Sequence, residues 1–526
     1  MKKLLAILLC ACMFLSLAAC GKKEETPLAE ATKTPEEAVQ SGEAKIAERI
    51  VIGKVYDLDS ADPYGTTSAQ THMYTNSTFR TLTKFDPASG ELLGVLSESW
   101  EDISGDATVW NVKLREGVKF HDGSTLDAED VKFTWEYAKD ATKVVKPIAG
   151  ADDMVKEVIA VDPLTVQFVL NSAIPDFMTY LEIKIYSKDA FDSMDPAEAA
   201  VIGCGPYMVG ERISGVSYSL VRFDDYYEGV EQFPSKEIVI KVFADMNTAV
   251  AALEAGEISY MPVGDVRGVD YNTLNNNDNI TVYTGLGCMS YYIGINHRKD
   301  VWQNTDMRVA LAKAINKDDI INVYFEGGVS ATRSDNFCVP TGAGYDDSVK
   351  SPEYDLEGAK ALLEKCGKVG QEVKIMVSAD SKPMGEVIQA QLNAAGFNAV
   401  IDLVDSSGWG NLKETGDYDI FAGDYCSYAG ALLYNFNRFF SEGGSSNMFD
   451  FYDKEFEDGL AKVRACTTYE SMLAEFSNLQ QWVADNVPLI PVAVNTALLA
   501  AWNNVGGIQV YPSANLVEYS TLYAIE

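Results

Sequence analysis

Two separate stretches of this chain read as a strand, a helix and a second strand, and this pattern limits the fold more than any other feature. The stretches are 238–263 and 373–404. In each, a β-branched apolar run precedes a helical segment, which Gly256 ends in the first unit and Gly396 in the second. Asn247 is placed to cap the first helix. Units of this kind join parallel strands through a crossover, so the sequence predicts an α/β fold.

The end of the chain carries a further helix and strand. The predicted helix has an apolar stripe at helical spacing, formed by Met472, Leu473, Phe476, Leu479, Trp482 and Val483. A stripe of this kind is typical of a helix that faces a core. The run VPLIPVAV follows, punctuated by Pro488 and Pro491. It predicts a strand that crosses between domains.

Length and charge set the domain count and exclude some partners. At roughly 150 residues per domain, 526 residues predict about three domains. A hydrophobic content of 47% is enough for packed cores and excludes wholesale disorder. The chain has 77 acidic residues against 42 basic ones, which gives a net charge of −35. Nucleic acids and anionic lipid surfaces attract basic proteins, so neither is an expected partner.

The first 20 residues are typical of a secretion signal. Two lysines precede an apolar stretch, and small residues come before Cys20. The last four of these residues, LAAC, resemble the lipobox of bacterial lipoproteins. That resemblance implies removal of residues 1–19 and acylation of Cys20, which would anchor the protein to the outer face of the cytoplasmic membrane. Residues 20–48 include the lipidated cysteine and are otherwise polar, and we expect them to form a disordered tether.

Four stretches in the body of the chain share a pattern with one family. They are 96–131, which contains the specific run KFHDG; 203–209, GCGPYMV, followed by DDYYEG; 292–321; and 354–367, YDLEGAKALLEKCG. Together they resemble the extracellular solute-binding proteins of family 5, the oligopeptide-, dipeptide- and nickel-binding components of ABC importers. The resemblance extends over nearly the whole body of the chain.

This resemblance implies a two-lobed fold of the periplasmic-binding-protein type (type II, cluster C), with mixed sheets flanked by helices and an extra domain. The expected segments are 49–85, 203–286 and 490–526 for lobe 1, 86–202 for the extra domain and 287–489 for lobe 2. Chain crossings near Gly285-Leu286 and Pro488 to Pro491 are expected to form a hinge. Hinge closure around a ligand is an established mode of conformational change.

Peptide-binding members of this family hold the α-amine of the ligand with an aspartate, in a segment that corresponds to 419–428 here. An alignment without gaps places Tyr425 at a family tryptophan and Tyr428 at the aspartate. An alignment with a deletion places Asp424 at the aspartate instead. A carboxylate pairs with an ammonium in a desolvated cleft, whereas a tyrosine offers only a weaker neutral hydrogen bond. The sequence leaves both alignments open.

Two further residues are candidates for ligand binding through the same resemblance. Trp409 matches a family tryptophan, and its aromatic face suits side chains, sugars or cations. Lys382 lies in the loop where dipeptide-binding members carry an arginine for the carboxylate of the ligand, although a lysine lacks the arginine fork. A core aromatic residue and a solvated loop residue are the alternative interpretations.

The resemblance also implies a disulfide between Cys288 and Cys426. Cys426 falls at a family cysteine that pairs with one near the start of lobe 2. Cys288 lies near that second position, but the alignment offsets it by one residue from the family cysteine. In a strand, an offset of one residue turns a side chain to the other face.

These features predict a binding protein that captures a solute outside the cell and hands it to an ABC permease, as a monomer without a cofactor or a bound metal. Oligopeptides are the expected solute. An oligosaccharide or a nickel chelate remains an alternative, although none of the three histidines falls within 425–430. A receptor lipoprotein that senses its ligand is another alternative. A secreted hydrolase is disfavoured, because the sequence has no GxSxG or HExxH motif.

Overall fold

The computed structural model describes residues 45–86, 89–138, 154–427, 430 and 432–526. The predicted signal segment, Cys20, most of the predicted tether and Tyr428 lie outside these residues. The backbone of Trp409 is described but its side chain is not. Within the described part of the chain, we find no helix with the length and apolar character needed to cross a membrane.

The strands are β1 (Arg49–Lys54), β2 (Thr83–Asp86), β3 (Glu91–Gly94), β4 (Ser97–Asp102), β5 (Val109–Leu114), β6 (Val155–Asp162), β7 (Thr165–Leu170), β8 (Tyr207–Ile213), β9 (Ser217–Arg222), β10 (Glu237–Val242), β11 (Tyr260–Met261), β12 (Ile280–Ile295), β13 (Ala331–Arg333), β14 (Glu372–Val377), β15 (Asn398–Leu403), β16 (Ile420–Cys426), β17 (Leu489–Trp502), β18 (Val505–Gly506) and β19 (Tyr523–Ala524).

The α-helices are α1 (Ala69–Thr78), α2 (Ala128–Ala138), α3 (Lys188–Ser193), α4 (Pro196–Ala199), α5 (Met246–Glu254), α6 (Gly268–Asn275), α7 (Asp300–Gln303), α8 (Thr305–Ala314), α9 (Lys317–Tyr324), α10 (Leu356–Lys365), α11 (Lys382–Ala395), α12 (Ser406–Thr415), α13 (Tyr434–Phe440), α14 (Lys454–Arg464) and α15 (Tyr469–Asn486).

One mixed sheet runs through both halves of the molecule, with the order β15-β14-β16-β12-β17-β11-β1-β10-β9-β8, and β13 also pairs with β17. The strands β12 and β17, of 16 and 14 residues, pair antiparallel along most of their length. Strand β11 pairs with one end of β17, and β16 pairs with the opposite end of β12. We call the part with β1 and β8–β11 lobe 1 and the part with β14–β16 lobe 2. Two long strands therefore connect the lobes.

The pairing of these two strands is interrupted where one lobe passes into the other. Leu286 lies opposite Thr496 and Ser290 opposite Val494, so three residues of β12 face the single residue Asn495 of β17. The side-chain oxygen of Asn495 accepts a hydrogen bond from the backbone nitrogen of Met289 at 2.8 Å. Bulges of this kind bend a strand locally. We call residues 287–289 the hinge bulge.

The hinge bulge directly follows Gly285-Leu286, near the predicted crossing on β12. On β17 the interruption lies beyond the predicted crossing at Pro488 to Pro491. Pro491 lies opposite Tyr292, at a second and smaller shift of the pairing in which Val492 is the extra residue of β17. The pairing of the two long strands is thus irregular at two places, the larger one opposite Asn495 and the smaller one beside Pro491.

Lobe 1 is covered by helices on both faces of its sheet. Helix α1 packs Met73 and Tyr74 against one face, and helices α5 and α6 cover the other. Helix α5 is capped by Asp245, whose carboxylate accepts from the backbone nitrogen of Thr248 at 3.0 Å. The prediction that Asn247 caps this helix is wrong, because its side-chain oxygen accepts from Arg267 instead.

Lobe 2 also has two apolar layers. Helices α8–α11 contribute to the layer on one face, and α13–α15 form the other with buried residues that include Met472, Phe476, Leu479 and Val483 of the predicted stripe. Gly396 ends α11 with a φ of 100°, a conformation that glycine adopts without strain. The predicted strand–helix–strand unit is therefore present, with β14 parallel to β15.

A separate antiparallel sheet, with the order β4-β5-β7-β6, forms the extra domain together with α2. Trp135 of α2 packs edge to face on Phe168 of β7, with ring centroids 5.9 Å apart. The core of this domain includes buried residues from Leu82 to Cys204.

The body of the protein begins earlier than the predicted end of the tether at 48. Ile46 forms a bridge with Ile525, and the backbone nitrogen of Ala47 donates to Ala524 at 2.8 Å. The carbonyl of Glu48 accepts from Lys236. The last four residues of the predicted tether thus pair with the body, since the carbonyl of Lys45 also accepts from the backbone nitrogen of Glu526.

Candidate functional site

The carboxyl ends of strands from both lobes point toward the hinge. β1 and β11 are parallel to each other and run in the same direction as β12, which passes from lobe 1 into lobe 2. β16 is antiparallel to β12 and therefore points back toward lobe 1. Ligands of open α/β sheets bind outside the carboxyl ends of the strands. The region between the lobes, next to the hinge bulge, is thus the candidate site.

Asp424 lies near the carboxyl end of β16, directly opposite Tyr291 of β12. Its side chain is exposed to solvent, and among the described residues it makes no ion pair and accepts no hydrogen bond. The surrounding protein atoms raise the pKa of this carboxyl above its usual value. An exposed carboxylate in surroundings that disfavour its charge is prepared to bind a cation.

Three residues from other elements accompany Asp424. Tyr291 of β12 and Tyr324 at the end of α9 both pack against Phe325, with ring centroids 4.7 Å apart in each pair. Burial raises the pKa of Tyr324, and the negative charges of Asp424 and Asp380 raise it further. Asp380, beyond the end of β14, is exposed. The resulting surface combines two carboxylates with two aromatic rings.

The structure turns Tyr425 away from Asp424. Its ring stacks on Phe337 with a centroid distance of 4.8 Å, and its hydroxyl donates to the carbonyl of Phe337. Successive side chains of a strand point to opposite faces. Tyr425 is a predicted ligand-binding residue, and its ring packs in the core of lobe 2, on the face of β16 opposite Asp424.

The remaining predicted ligand residues lie in different environments. Lys382 is the first residue of α11, and its ammonium forms an ion pair with Glu386 one turn later, at 2.6 Å. That charge is already compensated, which argues against its predicted role with a ligand carboxylate. Trp409 lies in α12, and its side chain is outside the description, as is the whole of Tyr428.

Cys288 and Cys426 meet at the hinge. Cys288 lies in the hinge bulge, and its sulfur is 2.7 Å from that of Cys426 at the end of β16, with both cysteines in the thiol form. The hydrogen bond from Cys288 lowers the pKa of Cys426 to about 7. In the strand pairing Cys426 lies opposite Met289, and at the bulge the preceding residue, Cys288, contacts it instead. The disulfide itself stays a prediction.

None of the three histidines belongs to the surface around Asp424. The ring of His121 bonds the backbone of Gly203 and Gly205, and His297 bonds the carbonyl of Pro488. Burial lowers the pKa of His72 to about 4. The described residues contain no group of three or more side chains suited to hold a metal ion.

Two lobes on shared strands, with a cleft at the carboxyl ends of their strands, define the class of two-lobed solute-binding proteins. The comparisons make this assignment specific. The chain belongs to the bacterial extracellular solute-binding proteins of family 5, whose middle-region profile matches residues 91–447. This finding confirms the family and the fold class that the sequence predicts.

Several relatives of this chain are known. The dipeptide-binding protein of Escherichia coli (strain K12) is 27% identical over 472 residues, which cover 82% of this chain and 86% of the relative. DppA from Helicobacter pylori, in complex with the peptide STSA, has a TM-score of 0.69 at 25% identity, covering 92% of this chain and 99% of its own. The murein tripeptide binding protein MppA, in its unliganded open form, has a TM-score of 0.79 at 17% identity with the same coverage. Other relatives are named for heme and for glutathione.

Proposed function

We propose that this protein captures oligopeptides outside the cell between its two lobes and delivers them to the permease of an ABC importer. The observation that carries this proposal is Asp424, a carboxylate at the hinge that lacks a cationic partner among the described residues. The α-amine of a peptide supplies that cation. Asp424 therefore takes the role that the family assigns to its amine-binding aspartate.

The surroundings of Asp424 favour a bound ammonium. A hydrogen bond to a charged group contributes about 1.5–3 kcal/mol, and more where water is excluded. Because nearby atoms raise the pKa of Asp424, protonation competes with the ligand as the pH falls. Binding of the amine stabilises the charged form of the carboxylate, so peptide affinity is expected to decrease on acidification.

The solved structures that share this fold include an unliganded open form and a peptide complex. The TM-score is 0.79 with the unliganded open form of MppA and 0.69 with the peptide complex of DppA. The hinge bulge interrupts the pairing of the two strands that join the lobes. Rotation at this point would bring lobe 1 over Asp424 and enclose the peptide.

Delivery to a permease requires the protein to stay close to the membrane. The lipobox-like sequence before Cys20 and the polar residues up to 44 provide such an attachment. Two or more acyl chains hold a protein stably on a bilayer. We therefore propose that the protein is a monomer anchored in this way to the outer face of the cytoplasmic membrane.

An oligosaccharide is the second candidate ligand. Tyr291 and Tyr324 place two rings beside Asp424 and Asp380. Aromatic faces combined with carboxylates also suit the apolar faces and hydroxyls of sugars. The same experiment distinguishes the two ligands.

Native mass spectrometry of the purified full-length protein tests the proposed function. We expect adducts that release peptides when the protein is denatured. Release of an oligosaccharide would contradict the peptide assignment, but the protein would still be a solute-binding protein. If nothing is released and a mixed tripeptide library produces no heat on titration, the proposed function is wrong.

A further inference from the structure

Lys84 of β2 lies beside a segment near the end of the chain that lobe 1 packs against the hinge. Its ammonium is over the ring of Tyr511, 5.9 Å from the ring centroid, and Tyr511 belongs to the core of lobe 1. The carbonyl of the next residue, Pro512, accepts a hydrogen bond from the backbone nitrogen of Cys288 in the hinge bulge at 3.0 Å. Residues 511–512 thus separate Lys84 from the hinge bulge.

The same segment approaches the face of β16 that carries Asp424. Asp424 and Cys426 are two residues apart in β16, so their side chains point to the same face of the strand. The side chain of Ser513 hydrogen-bonds with Cys426, and Ser513 is two residues after Tyr511. Lys84 and Asp424 therefore flank the hinge from the two lobes, on the same side of the long sheet.

Lys84 is a half-exposed cation whose negative neighbours are shared with other cations. Its side chain is 41% exposed, and its ammonium is 3.6 Å from the carboxylate of Glu518. That carboxylate lies closer to Arg80, at 2.9 Å, in a pair whose side chains are each only 12% exposed. Burial raises the pKa of Glu182, while the charges of Lys84 and Lys184 lower it. Each of these carboxylates therefore serves a second cation, and Lys84 keeps charge available for a ligand.

The charges of the two lobes are complementary across the hinge. Lobe 2 contributes Asp424 and Asp380, and its Lys382 is paired with Glu386. A zwitterionic ligand that is held by its ammonium on lobe 2 thus meets a cation on lobe 1. We infer that Lys84 binds a carboxylate of the ligand when the lobes close, and so selects for ligands that carry one. This inference rests on the proposed function and adds to it the group that recognises the negative charge of the peptide.

The carboxylate is either the terminal group of the peptide or an acidic side chain, and two pairs of ligands distinguish these sources. Isothermal titration of the full-length protein compares trialanine with trialanine amide, and a tripeptide of alanines around a central glutamate with the same peptide around a central glutamine. We expect the carboxylate form to bind about fivefold more tightly in at least one pair, since ion pairs of partly exposed groups are weak. A preference confined to the first pair identifies the terminal carboxylate, and one confined to the second pair identifies an acidic side chain.

Variants of Lys84 connect this preference to its charge. Lys84→Met is expected to abolish the preference, and Lys84→Arg to keep it. Lys241→Met is the matched control and should also keep it, because Lys241 is equally exposed, is paired with Glu257 at 3.0 Å and lies over the ring of Phe243. If Lys84→Met does not fold, Lys84→Gln, which keeps a polar side chain, takes its place with the same expectation.

The comparison within each pair of ligands in the wild type needs no variant. Equal affinities within both pairs, or a preference that survives the loss of the charge at Lys84, would overturn the inference and leave the proposed function intact. If no tripeptide binds the wild type, the peptide assignment fails, and the role of Lys84 fails with it.

Discussion

Glu518 keeps its charge inside the protein because two cations lie beside it. Its carboxylate is 2.9 Å from the guanidinium of Arg80 and 3.6 Å from the ammonium of Lys84. Burial by itself would raise the pKa of Glu518, but the two cations lower it to about 2. Breaking a buried ion pair by removing one partner is strongly destabilising, because the other charge is left uncompensated.

This carboxylate has a testable effect on acid stability. Its pKa in the unfolded chain is 4.5, so its contribution is complete above that pH and is lost as the pH falls toward about 2. The expected contribution is about 3 kcal/mol of unfolding free energy. Urea unfolding at pH 6 and pH 3 measures it. Glu518→Gln should lower stability at pH 6 far more than at pH 3, while the exposed control Glu353→Gln should change neither. Equal losses at both pH values would contradict this account.

The thiols of Cys288 and Cys426 are placed for oxidation. A sulfur separation of 2.7 Å leaves little movement before a bond forms, and the hydrogen bond from Cys288 lowers the pKa of Cys426, which favours the reactive thiolate form. We expect peptide mapping without reductant to find a Cys288–Cys426 disulfide in protein from an oxidising compartment. The buried Cys204 should stay free and serves as an internal control. Detection of both hinge cysteines as free thiols would rule out this pairing.

At the scale of the helices and strands, local patterns predicted the elements but not their partners. The β-branched runs and Gly396 predict the order of β14, α11 and β15 and the residue that ends the helix, because strand formation and helix termination depend on nearby residues. The cap of α5 was misassigned, since Arg267, distant in sequence, occupies the side chain of Asn247.

The candidate site was only partly predictable for the same reason. Asp424 emerged from a short motif on a single strand. Tyr291, Tyr324 and Asp380 come from three other elements, and only the tertiary fold brings them together. No periodicity in the sequence identifies such a group, because each residue has an ordinary place in its own element.

The hinge bulge depends on a glycine. A Cβ atom at Gly287 would lie 1.9 Å from the side-chain oxygen of Asn495, the group that accepts from Met289. Gly287→Ala is therefore expected to lower the unfolding free energy by about 1–3 kcal/mol. Gly410→Ala, in a helix with open space around the added Cβ, is the control and should be neutral or stabilising by up to about 1 kcal/mol. Denaturant unfolding that shows the same effect for both variants would argue against this close contact at the hinge.

At the scale of the whole molecule, the acidic candidate site lies where the strands of the two lobes meet. The chain carries 77 acidic and 42 basic residues, so its field favours neutral or cationic ligands over anionic ones. Asp424 and Asp380 bring the same preference to the cleft, where Lys382 is already paired with Glu386. If the ligand is a peptide, as proposed, we expect its amine end to be recognised more strongly than its carboxylate end.

Blocking the amine of the ligand tests this account most directly. Isothermal titration of the full-length protein would compare trialanine with N-acetyl-trialanine, in the wild type, in Asp424→Asn and in the control Asp402→Asn. We predict that the wild type and the control prefer the free amine by about 10- to 100-fold, and that Asp424→Asn loses this preference. Equal binding of the two peptides by the wild type, or a preference that survives in Asp424→Asn, would contradict the central role of Asp424.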